Sequence, residues 1–217
     1  VSRSKDVPMT LGLFLHRGLL HYAGNMPQSV RMEWKKIEGR FNTIQYFDDS
    51  KEIYKLIGEV ISSRRSIKPD NLEGISAAAA ECKAFGLFND LSEKELAGLF
   101  RKSYPLEPMT LFFLPRLSAR IAQNERTLFN FLYSVDLGSP VGPDRLYDYF
   151  SGEMQNDFSM GGTYRQWVEA QSALSKVGDD SESSRALKSA CLIGLGVNGE
   201  RSRSGYNLLL FAQRGFS

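Results

Sequence analysis

From Lys51 onward the apolar residues recur every three or four positions, and the runs are separated by Pro, Gly and Ser/Asp clusters. That period restricts the fold to helices with one inward face. KEIYKLIGEVISSRR places Ile53, Leu56, Ile57, Val60 and Ile61 on one side behind the acidic lead Asp48-Asp49, which suits an amphipathic helix. EGISAAAAECKAFGLF predicts a weaker helix ending near Gly86. LSEKELAGLFRKSY opens on the start signal Ser92-x-x-Glu95 and turns Leu96, Leu99 and Phe100 inward. Pro105 and Pro108 break the chain before MTLFFLPRLSARIAQ, and IAQNERTLFNFL (121–132) reads as one helix. DLGSPVGPD is a connection before the short helix RLYDYFSGEM. TYRQWVEAQSALSKV and SSRALKSACLIGLGV flank the polar stretch KVGDDSESS, and NGERSRSGYNLLLFAQRG reads as a polar turn and a last helix.

The first fifty residues differ. MTLGLFL (9–15) is a continuous apolar run that suits a strand buried on both faces. SVRMEWKKIEGRF spaces Val30, Trp34 and Ile37 as a helix does, with Ser29 as N-cap and Gly39 as stop. NTIQYFDD alternates Ile44 and Tyr46 as a short strand would. The expected fold is therefore mainly α: a short α/β remnant over 1–49, a helical domain over 50–178, and a helical segment over 179–217. Because the opening residues look like the middle of an α/β domain, the chain is expected to be a piece of a longer protein.

At 217 residues, 42% of them apolar, the chain can fill a sizeable core. A net charge of +2 is too mild to require nucleic acid as a partner. No apolar run approaches the roughly 18 residues of a membrane span, and VSRSKDVP lacks a signal-peptide core, so the cytoplasm is expected and no membrane partner. Cys82 and Cys191 sit in apolar or small-residue settings and read as core thiols. His16 and His21 have no ligand spacing around them, so no metal site is expected.

Arginines carry the chemistry that the sequence offers. Arg116, Arg120 and Arg126 recur along YPLEPMTLFFLPRLSARIAQNERT, and an inward-facing guanidinium on an apolar helix needs an anionic partner. Glu125 or a phosphate can fill that role. Gln123, Asn124, Glu125 and Arg126 read as a structural network that pins the helix, while Leu128, Phe129, Phe131 and Leu132 pack it. Arg40, in Glu38-Gly39-Arg40-Phe41, stands between a helix end and a strand-like segment.

This order of elements resembles the second half of the nucleotide-binding core of AAA-plus ATPases and its passage into the helical lid. EWKKIEGRF, SYPLEPMTLFFLPRLSARIAQNERTLFNFL and RALKSACLIGLG are similar to segments of large bacterial P-loop ATPases associated with defence against phage. The resemblance implies that Arg40 is an arginine finger toward a neighbouring subunit's γ-phosphate and that Arg116 is the lid arginine, sensor 2. It also implies that His16 takes the place of the sensor 1 residue. An arginine so placed can contribute about 10³–10⁵ in rate.

The same family needs GxxxxGK[ST] to wrap the phosphates, and none of the 19 glycines begins one. Gly161-Gly162 and Gly194-Leu195-Gly196 lack the Lys-Ser/Thr that must follow. ATP and Mg²⁺ would be bound mainly by residues outside this chain, and the segment alone is expected not to hydrolyse ATP. Its partners would be further copies or the remainder of a longer chain, with an effector protein, DNA or RNA as further candidates. Arg201 and Arg203 would face nucleic acid phosphates if the last two helices begin a winged-helix unit; otherwise they are solvated loop residues. Two other readings stay open. One is a non-catalytic helical module docking protein or DNA through its arginines. The other is a scaffold whose arginines are satisfied internally by Glu107, Glu125 and Asp136.

Overall fold

The computed structural model describes residues 12, 26–38, 51–121, 125–158, 162–178, 180–196 and 205–216, with the side chains of 125 and 126 left aside. Among them are ten helices and no strand. They are α1 (Gln28–Glu38), α2 (Lys51–Arg64), α3 (Leu72–Ala84), α4 (Glu93–Ser103), α5 (Pro108–Arg120), α6 (Glu125–Ser134), α7 (Pro143–Asn156), α8 (Tyr164–Val177), α9 (Ser181–Gly196) and α10 (Gly205–Arg214). None is long and apolar enough to cross a membrane.

The chain divides into two compact units, one of residues 1–47 with 159–161 and the other of 48–158 with 162–217. In the first, α1 is the described element. It starts at Gln28, with the Arg31 amide donating to the Pro27 carbonyl at 3.1 Å, so Ser29 lies inside the helix instead of capping it. Lys36 pairs with Glu33 one turn back at 3.0 Å. The strand segments expected over 9–15 and 42–49 lie outside the described residues, except for Gly12.

The second unit is a helical bundle around α5. That helix buries Leu111, Phe112, Phe113, Leu114 and Leu117 almost completely, because it is apolar on nearly all sides and other helices surround it. Phe88 is the hub of an aromatic cluster, with ring centroids 4.9 Å from Tyr54, 5.8 Å from Phe100 and 5.2 Å from Phe112. Its backbone has φ 51°, and Gly86 before it has φ 66°. Lys83 steadies that turn by donating to the carbonyls of Phe88, Asn89 and Leu91 at 3.4, 3.3 and 2.7 Å.

Local signals act as expected at α4. Ser92 accepts from the Glu95 amide and the Glu95 carboxylate accepts from the Ser92 amide at 2.9 Å, a complete capping box. On α2 the inward residues are Tyr54, Ile57 and Ile61, whereas Leu56 is 46% exposed, so the buried face is rotated toward Tyr54. The segment 121–132 is not one helix. Ile121 caps α5, donating its amide to the Leu117 carbonyl at 2.8 Å, and α6 begins at Glu125. Leu128, Phe131 and Leu132 are buried in α6 and Phe129 is half-buried.

Candidate functional site

Of the arginines singled out by sequence, Arg116 and Arg120 lie among the described residues. Arg40, His16, Gln123, Asn124, Arg201 and Arg203 lie outside them, as do the side chains of Glu125 and Arg126. Arg116 follows Pro115 inside α5, and its guanidinium lies 3.5 Å from the centroid of the Phe112 ring one turn back. Its Nη1 donates to the Phe112 carbonyl at 2.7 Å and to the Tyr54 hydroxyl of α2 at 2.5 Å. A carbonyl oxygen has two lone pairs, so the Phe112 carbonyl can accept the guanidinium as well as a helical amide. The contacts fix the head of Arg116 on three groups and join α2 to α5.

Other arginines share one chemical task, the satisfaction of carbonyls at the ends of neighbouring helices. Arg64 donates to the Leu132 carbonyl and, at 2.9 Å, to the Tyr133 carbonyl in the last turn of α6. Arg65 donates to the Arg101 and Tyr104 carbonyls at the end of α4, at 2.6 and 3.2 Å. Arg120 donates to the Leu195 carbonyl at the end of α9 at 2.6 Å. A helix leaves its last carbonyls unsatisfied and carries a partial negative charge there, so a cation at that end is favoured twice over.

Among the described residues the most buried ionic group is one that the sequence pointed to only in the scaffold reading. Glu107, 6% exposed, precedes α5, and its two carboxylate oxygens each lie 2.9 Å from Nη2 of Arg185 on α9. Arg185 Nε sits 3.7 Å from Asp144 Oδ1 on α7, beyond hydrogen-bond reach, and is buried with no hydrogen bond among the described residues. Burial pushes the Glu107 carboxyl above its ordinary value more than Arg185 pulls it down, and Asp144 adds to the rise. The backbone around it is tied too. The Glu107 amide donates to the Val141 carbonyl at 3.1 Å, the Val141 amide to the Pro105 carbonyl at 2.9 Å, and Thr110 Oγ1 to the Val141 carbonyl at 2.8 Å.

Glu107 also lines a cleft of about 230 Å³ with Asn71, Tyr104, Arg214 and Phe216. The cleft combines two carboxylates, Asp70 and Glu107, with one guanidinium, an amide and two aromatic rings. It holds no cysteine, serine or histidine nucleophile beside a base. Asp136, the third carboxylate of the scaffold reading, accepts from the Gly138 amide at 2.9 Å and shapes a turn.

The thiols are inert by environment. Burial raises the Cys82 thiol well above its ordinary range and pushes Cys191 up to about 11. No group of three metal-ligating side chains occurs among the described residues.

Sequence reasoning missed Tyr54 and Arg185. Tyr54 carried a signal, since it stands three and seven residues before Ile57 and Ile61 on the inward face. Arg185 carried none, because its partner is 78 residues away. No family model matches the chain, and neither a curated protein nor a solved structure matches it.

Proposed function

We propose that this chain is the helical lid portion of an AAA-plus-like ATPase, of the kind found in bacterial nucleic-acid-related or anti-phage systems. Hydrolysis would be completed by a P-loop outside the chain. The observation that supports this reading is the mounting of Arg116. A ring, a carbonyl and a tyrosine hydroxyl orient its guanidinium where α2 meets α5. A lid arginine acts by position, since phosphoryl transfer is accelerated mainly by placing positive charge where the phosphate oxygens gain negative charge. The connection to α2 would pass a change at the arginine head into the bundle.

The test is steady-state ATP turnover of the full-length protein carrying Arg116→Ala, with Arg116→Lys beside it. The expected result is a loss of at least about tenfold for Ala and partial retention for Lys, with the thermal midpoint followed separately. Unchanged turnover in both variants refutes the role.

A second reading is favoured by the carbonyl-capping of Arg64, Arg65 and Arg120. These arginines brace the bundle, as a non-catalytic docking module requires of a rigid platform. Under that reading partner affinity is independent of nucleotide, and it falls steeply with salt if the partner is DNA.

A further inference from the structure

The last described helix is attached to the bundle in an unusual way. α10 buries Leu208, Phe211 and Ala212 against its surroundings and exposes Tyr206 and Leu210. Its far end crosses to α3 and α4, distant in sequence. The Phe211 ring lies 5.8 Å from Phe85, and Phe216 lies 5.7 Å from Phe100 and 6.0 Å from Tyr104. The polar ties are few and individually weak. Arg214 pairs with Glu81 at 2.5 Å with both side chains over a third exposed, a kind of pair that contributes little. Gln213 donates to Ser189 at 3.0 Å. Asn71 has two tasks: its oxygen accepts from the Gly74 amide at 2.8 Å to cap α3, and its Nδ2 donates to the Phe216 carbonyl at 2.9 Å.

Beneath this end lies the Glu107 carboxylate. Gly215, at φ 64°, passes so close that a Cβ there would stand 2.9 Å from the carboxyl carbon and 3.0 Å from Oε1. Gly142 approaches from another side, where a Cβ would stand 3.2 Å from Oε2. The carboxylate is therefore covered by the backbone of Gly215, on a segment held by apolar packing and by polar ties that are individually weak.

We infer that α10 together with Gly215 and Phe216 is a strap that opens and closes over Glu107 as one cooperative unit. Ten residues are too few for a helix to persist in water without packing, where about 12–15 is the lower limit. Release of the strap therefore coincides with its melting, and the transition has two states rather than a continuum. Opening uncovers the cleft and admits water to the carboxylate. The strap is independent of any role in ATP hydrolysis.

Closure then depends on protons. Arg185 on α9 faces Glu107 with the opposite charge and Asp144 on α7 with the same charge. Arg214 of the strap, Asp70 and Tyr104 line the same cleft, and Glu81 on α3 holds Arg214. In the closed state burial dominates and holds Glu107 above its ordinary value near 4.5. The closed state thus binds the proton more tightly than the open one, and closure weakens as pH rises through that raised value.

Hydrogen exchange read by mass spectrometry on the intact chain tests this, at pH 5 to 8 and corrected for intrinsic rates, with α5 amides as the reference for global unfolding. The strap requires residues 206–214 to exchange faster than α5. Their protection should fall with pH, by at most tenfold per unit because one proton is involved, and the slope should vanish in Glu107→Gln. Gly215→Ala forces a side chain into the left-handed region and against the carboxylate, so it should lower protection of α10 severalfold and leave α5 unchanged. Exchange of α10 only with α5, or an unaltered pH slope in Glu107→Gln, overturns the proposal.

Discussion

A single nitrogen of Arg185 straddles Glu107, with Nη2 2.9 Å from both carboxylate oxygens, while Arg185 Nε makes no hydrogen bond among the described residues and faces Asp144 Oδ1 at 3.7 Å. The ion pair is therefore one-sided. The carboxylate is well served and the guanidinium is not, and burial still outweighs the attraction at Glu107. Such a pair resists the loss of one partner much more than it adds to stability as a pair.

The two partners should respond unequally to substitution. Arg185→Met leaves a buried carboxylate with Asp144 as its neighbour, and the expected loss is about 3–5 kcal/mol in urea unfolding. Glu107→Gln keeps the shape and a hydrogen-bond acceptor but removes the buried negative charge, and it should change stability by less than about 1.5 kcal/mol. In the Glu107→Gln background, Arg185→Met should cost far less than it does alone. Equal costs in the two backgrounds would show that packing, and not charge, is what Arg185 contributes.

The pH dependence has opposite signs at two glutamates. Glu107 is held above its ordinary value, so its contribution to stability is full at low pH and is lost as pH rises through the raised value. Glu95 is held down at about 2, first by its hydrogen bond to Lys51 and then by those to Ser92. Its contribution is full above its ordinary value near 4.5 and is lost as pH falls toward 2. Carboxyl NMR titration should place the two groups on opposite sides of the normal glutamate range. Glu95→Gln should flatten the acid limb of the unfolding midpoint, and Ser92→Ala should cost about 1 kcal/mol through the lost cap.

What could be read from the sequence was local. The capping box at Ser92 and Glu95, the breaks at Pro105 and Pro108, and the inward Leu96, Leu99 and Phe100 each depend on residues within a few positions, and each takes the expected form. The segment 121–132 misled because its apolar spacing continues across the point where α5 ends at Ile121 and α6 begins at Glu125. Periodicity records which face is buried, not whether the backbone ladder is unbroken. Leu56 was expected inside α2, yet its place in the core is taken by Tyr54, whose ring meets Phe88 and whose hydroxyl reaches Arg116. The Glu107–Arg185 pair and the Arg120–Leu195 contact join residues 78 and 75 positions apart, and no spacing rule relates them.

The arginine braces should contribute through the helix they cap. Arg64→Met removes the donors to the Leu132 and Tyr133 carbonyls and leaves the end of α6 to water. A charged donor to a carbonyl is worth about 1.5–3 kcal/mol when buried, and Arg64 is exposed, so the expected cost is about 1 kcal/mol. Exchange of the last-turn amides of α6 should speed up more than that of α4. Uniform acceleration of both helices would show that Arg64 acts on the whole bundle.

The contact between α5 and α9 is limited by a missing side chain. Gly196 stands where a Cβ would lie 2.5 Å from both Cδ1 and Cε1 of Phe113, a fully buried ring. Gly196→Ala therefore overfills the joint and should cost about 1–3 kcal/mol. Phe113→Leu alone removes buried ring atoms and should be destabilising by a similar amount. Combined, the smaller Leu frees the space that the new methyl needs, so the double variant should be more stable than the sum of the single losses by at least about 0.5 kcal/mol. Strict additivity in urea unfolding would mean that α9 shifts away from α5 to admit the methyl. In that case the Arg120 bond to the Leu195 carbonyl should break as well, and Arg120→Met should lose its effect in the Gly196→Ala background.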